Sequence, residues 1–161
     1  MHARWRWRCA RSRPTGVRAG STSRRLHEQL AAAPRAARSL WLEVAEVAAA
    51  EQFEQLQELG RRLRPLGARL GLEHAGERLS RIHRLFELGL DYVKIDAALG
   101  RGIGGAGHEA RASLVRGVTT MLHSLSLQVI AEGVADEADA QALWACGVDA
   151  MTGPWVSSLG D

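Results

Sequence analysis

The ionisable residues fall mostly at the downstream ends of short apolar runs. Glu43 and Glu46 follow a first run, Glu73 and His74 a second, Lys94 and Asp96 close a third, Glu132 follows a fourth, and Thr152 follows a fifth. Carboxylates, an imidazole and an ammonium hold charge and move protons in concert only when they are gathered in one place. Lys94 stands apart as the only lysine beside 20 arginines. A bias of that kind implies a position that uses a compact, flexible ammonium and not a planar guanidinium.

The elements that would gather these groups alternate along the chain. Strand-like apolar runs cover residues 40–44, 68–72, 92–95, 128–131 and 148–151, with helical periodicity over 51–63, 77–88, 109–125 and 137–146. Turn signals lie at Pro65 and Gly67, Gly89, the run 100–107 and Gly147. Alternating strand and helix imply an α/β fold with a parallel sheet, either a barrel or an open doubly wound sheet. In an α/β barrel the strand ends share one face, where loops build the active site. Any single charged residue after a strand is explained by the strand reaching the surface, whereas five in succession favour convergence on one mouth. His83, His108 and His123 fall at helical or loop positions and are read as surface residues. The glycine-rich run 100–107 lacks the Lys-Ser/Thr of a phosphate-binding loop and is read as a flexible linker.

Composition sets the outer limits. A chain of 161 residues that is 46% hydrophobic suits one domain with a modest core. No apolar run approaches the ~20 residues that cross a bilayer, and the N-terminus lacks the apolar segment of a secretory signal, so a cytoplasmic location is expected. Cys9 and Cys146 sit in no metal-ligand or redox spacing, and Cys146 reads as a small buried side chain. Residues 1–27 hold eight arginines and no acid, leaving the remainder at a net charge of −5. Residues 1–16, with indoles interleaved among the arginines, form a basic tail that is short, without apolar periodicity, and expected to be disordered. Binding of nucleic acid or an anionic membrane by this tail is kept as an alternative of lower rank.

Four segments carry a resemblance to a known family. Leu-Glu-Val-Ala-Glu at 42–46, Tyr-Val-Lys-Ile-Asp at 92–96, Val-Ile-Ala-Glu-Gly-Val at 129–134, and Gly-Val-Asp followed by Thr-Gly-Pro at 147–154 occur in order. Together they resemble the EAL domain, the phosphodiesterase that linearises cyclic di-GMP. The resemblance implies an incomplete TIM-like (β/α) barrel of the EAL type, lacking the first strand and occupying residues 17–161. It also implies a two-metal reaction in which Mg²⁺ or Mn²⁺ ions ~4 Å apart activate water. By that likeness Glu43 and Glu132 are metal ligands, with Glu73 and His74 completing an altered set. Lys94 holds the attacking water, Glu46 braces a neighbouring loop, and Asp96, Thr152 and Gly153 lie at the nucleotide.

Departures from the family pattern shape the functional expectation. The defining Glu-Ala-Leu strand has no counterpart in residues 1–16, which contain no Glu. Aligning residues 17–26 with the family's second strand puts Gly20 where a ligand Asn is expected. Glu73, His74, Ala75 and Gly76 replace Asp-Asp-Phe-Gly, Ala135 replaces an acid, and Thr152 replaces a Gln. The reading is therefore a degenerate EAL domain acting in cyclic di-GMP signalling as a nucleotide receptor or interaction scaffold. An active phosphodiesterase with an altered metal set is the alternative. A barrel without its first strand would leave sheet edges exposed, which implies a protein partner or a homodimer.

Overall fold

The computed structural model describes residues 19–76 and 84–159. The basic tail 1–16, His83 and most of the helix expected over 77–88 lie outside these residues. The chain enters through α1 (Ala19–Ala32) and α2 (Pro34–Ser39), then forms β1 (Trp41–Ala45), α3 (Glu46–Glu51), α4 (Phe53–Leu63) and β2 (Arg69–Ala75). It continues through β3 (Tyr92–Ile95), α5 (Ala97–Gly100), α6 (Glu109–Ser124), β4 (Gln128–Ala131), α7 (Glu137–Ala145), β5 (Ala150–Met151) and α8 (Pro154–Ser158). The five strands form one parallel sheet in the order β1-β2-β3-β4-β5. Among the described residues β5 does not pair with β1, so the sheet stays open.

Alternation along the strands sorts the side chains into two faces. Leu70, Leu72, Val93, Ile95, Val129 and Ala131 join Leu56, Val115, Leu122 and Leu143 of the helices in the main core. The intervening residues Glu43, Gly71, Tyr92, Lys94 and Ile130 belong to the other face. A smaller cluster of Leu30, Ala37, Leu63 and Ala68 seats α1 and α2 against the end of α4. Cys146 is buried and free, as its apolar setting implies.

Two expectations are corrected by this arrangement. The segment read as a strand over 17–26 is helical from Ala19 onward, so Gly20 lies in the first turn of α1. Arg, Leu, Glu, Gln and Ala favour a helix there, and Leu26 and Leu30, one turn apart, both reach the smaller cluster. The helix expected over 51–63 is present as α4, its start set at Phe53 by Gln52, whose φ of −124° and ψ of 41° end α3. Residues 85–88, the described end of the helix expected over 77–88, form a 3₁₀ turn.

Gly71 shows how register shapes the second face. It pairs with Glu43 of β1 on one side and Tyr92 of β3 on the other. A Cβ at Gly71 would come within 2.2 Å of the Tyr92 ring. Without one, the ring crosses β2 and its hydroxyl donates to Glu43 Oε1 at 3.1 Å. Gly71→Ala is therefore expected to destabilise the protein by about 2–3 kcal/mol, because a fully buried aromatic ring must shift. Urea denaturation is the measurement, and a midpoint equal to wild type contradicts this packing.

Candidate functional site

The downstream ends of β1 to β4 bring most of the expected residues together. The Lys94 ammonium, on β3, is ion-paired with Glu43 of β1, reaching across β2 above Gly71. The two side chains are only 12% and 16% exposed, so the pair is largely withdrawn from water. Tyr92 holds the same carboxylate, and its ring lies 4.9 Å from that of Trp41, over which the Arg69 guanidinium sits at 4.6 Å. Glu46, at the start of α3, is buried and accepts the Gly76 backbone N–H at 3.2 Å.

His74 occupies an unusual backbone position. The pairing of β2 with β3 shifts register between Leu72 and Ala75, and His74 has a φ of +54°. An extra residue in a strand re-aims its side chain, and bulges of this kind recur beside functional sites. Here the shift returns Ala75 to the core and turns the His74 ring toward the strand ends. Its Nδ1 lies 3.2 Å from Glu132 Oε2 and 3.5 Å from Asp96 Oδ2. Its backbone N–H donates to the same Glu132 oxygen at 3.2 Å. The other Asp96 oxygen accepts from Ala98 N at 2.8 Å and caps α5.

Glu132 is the group whose protonation this environment changes. Burial raises its pKa above the ordinary carboxylate value, and the Glu73 charge acts in the same direction. The His74 N–H and the His74 and Lys94 charges oppose the rise. Because the folded pKa exceeds the unfolded one, the folded state binds more protons between the two values. Stability is accordingly full below the unfolded pKa and falls as pH rises through that window. Glu132→Gln is expected to remove this dependence, checked by thermal melts from pH 4 to pH 7; a slope unchanged by the substitution contradicts it.

Glu73 is half-buried, and among the described residues it acts on the group through its charge on Glu132. Thr152 and Gly153 stand at the end of β5, tied to β4 by backbone bonds from Thr152 N to Ala131 O and from Val134 N to Thr152 O. Among the described residues no side-chain bond joins either to the Lys94 or His74 groups. Gly153 has a φ of +146°, and a Cβ there would meet Val134 N at 2.3 Å, so its place is fixed by backbone packing. Sequence reasoning did not identify Tyr92 as the partner of Glu43. The available signal was Gly71 inside an apolar strand, since such a glycine marks a close approach.

Divalent ions of the kind implied by the resemblance each ask for about six oxygen donors. Among the described residues no group of three His, Cys, Asp or Glu side chains is disposed to hold an ion. Glu43 is engaged by an ammonium and a hydroxyl, and Glu132 by two nitrogens of His74. As arranged, these residues do not fit a pair of metal ions, and no reaction step through metal follows from them. No helix among the described residues is long and apolar enough to cross a membrane.

Comparison with known proteins places this chain in a family. The EAL domain profile matches residues 13–158. An uncharacterised signalling protein of Caulobacter vibrioides is 31% identical over 124 residues, covering 77% of this chain and 15% of that protein. An uncharacterised Mycobacterium tuberculosis protein is 31% identical over 107 residues, covering 66% of this chain and 17% of its own length. The chain thus spans less than a fifth of these curated relatives. Among solved structures, a Klebsiella pneumoniae protein in a manganese and cyclic di-GMP complex matches at 26% identity and a TM-score of 0.69, over 83% of this chain and 34% of that one. The Xanthomonas citri FimX EAL domain, solved with cyclic di-GMP, shares the fold with a TM-score of 0.72 at 22% identity, over 83% of this chain and 52% of that one. The chain belongs to the EAL domain family.

Proposed function

We propose that this EAL domain does not hydrolyse cyclic di-GMP and serves its signalling as a nucleotide receptor or as an interaction scaffold. One observation carries this reading. The carboxylates at the strand ends are engaged by nitrogen donors of the protein itself, Glu43 by Lys94 and Glu132 and Asp96 by His74. The Lys94 ammonium, with three N–H groups, can donate to a phosphate as well as to Glu43. Hydrolysis in the family mechanism uses ions that these same carboxylates would have to hold. The manganese and cyclic di-GMP complex of the Klebsiella protein supports the choice of nucleotide.

Two measurements test the proposal. Titration calorimetry with cyclic di-GMP in Ca²⁺ is expected to show binding. Incubation with Mn²⁺ and chromatography is expected to show no linear dinucleotide. Heat without turnover supports a receptor, and the absence of both leaves the scaffold. Formation of the linear dinucleotide overturns the proposal in favour of an active phosphodiesterase.

A further inference from the structure

We propose that His74 is a latch that excludes divalent cations from the strand-end site. The latch has two teeth from one residue. The backbone N–H and the ring Nδ1 both lie 3.2 Å from Glu132 Oε2, while Nδ1 also faces Asp96 Oδ2 at 3.5 Å. Nδ1 lies between carboxylate oxygens of Glu132 and Asp96, so the ring, together with the backbone N–H, occupies the space between the two acids. The Lys94 ammonium adds a positive contribution at Glu132. An ion bridging Asp96 and Glu132 would need Oδ2 and Oε2, the two oxygens that face the imidazole. It would have to displace the imidazole and would meet the His74 backbone N–H at Oε2.

The latch is a product of the strand and not of the side chain alone. His74 reaches Glu132 through both its backbone and its ring because the register shift leaves it at a φ of +54°. Asn and Asp tolerate that backbone region better than most residues, so both can replace His74 without new strain. This makes the inference testable in folded protein. It deepens the proposed reading of the site and is tested without nucleotide, so failure of cyclic di-GMP binding and failure of the latch are separate results.

The experiment measures Mn²⁺ affinity at neutral pH, by calorimetry and by the resonance signal of free Mn²⁺, in wild type, His74→Asn and His74→Asp. Thermal melting confirms that each variant is folded. His74→Asn, which removes the imidazole, is expected to bind Mn²⁺ more tightly than wild type. His74→Asp, which also adds an oxygen donor, is expected to gain at least about ten-fold, the scale on which neighbours of a metal site tune affinity. Weaker binding by His74→Asn than by wild type would make His74 a ligand and overturn the proposal. An aspartate variant with no gain in affinity would overturn it equally.

Discussion

Lys94→Ala is expected to lose about 3 kcal/mol of stability and roughly 100-fold in affinity for cyclic di-GMP. The stability loss comes from Glu43, whose carboxylate is left in a site only 16% exposed without its ammonium partner. Removing one member of a buried ion pair costs ~3–5 kcal/mol, and the residual exposure here places the expectation at the lower end. The affinity loss has a separate origin, because a charge-assisted hydrogen bond to a phosphate is worth ~1.5–3 kcal/mol. A double variant separates the two effects. Lys94→Met with Glu43→Gln leaves no unpaired charge, and the Gln oxygen still accepts from Tyr92, so most of the stability returns while binding does not. Denaturant unfolding and calorimetry on the same preparations provide the measurement. Nucleotide affinity restored by the double variant would remove Lys94 from the binding site.

The strands were legible in the sequence because parallel strands covered by helices on one face are short apolar runs, and all five appear within a few residues of their expected places. Convergence of Glu43, Lys94, Asp96 and Glu132 was legible too, since parallel strands deliver their ends to one side. Which group meets which was not. The pairing of Glu43 with Lys94 depends on two registers across β2 and on the missing side chain of Gly71. The turn of His74 toward Glu132 depends on a shift that adds a residue between Leu72 and Ala75. Neither register nor bulge leaves a periodicity in one strand. Acids at the opposite ends of strands escaped notice for a related reason. Asp91 accepts from Leu70 N at 2.8 Å and Asp149 from Val129 N at 2.7 Å, each tying the start of one strand to its neighbour. Sequence analysis gives neither acid a structural role, because its partner lies some 20 residues away.

The run 100–107 is tied down by Asp139, which contradicts its reading as a flexible linker, and Asp139→Ala should release it. Asp139 is buried in the first turn of α7 and accepts from Gly102 N at 2.8 Å and Gly104 N at 2.9 Å. Its own N–H donates to the Asp136 cap at 2.8 Å, which holds the Asp139 backbone in the first turn of α7. The glycines serve the approach. A Cβ at Gly104 would stand 2.4 Å from the Ala138 carbonyl, and Ile103 between them is buried. Removing the carboxylate strands two backbone amides, each at a cost of ~1–3 kcal/mol, for an expected loss of about 3 kcal/mol. Asp139→Asn keeps one accepting oxygen but turns an NH₂ toward the second amide, so it should recover only part. Hydrogen exchange distinguishes this from a general weakening, because the Gly102 and Gly104 amides should lose protection well before those of β3 and β4. A protected Gly104 amide in the alanine variant would mean that helix packing, and not the carboxylate, orders the loop.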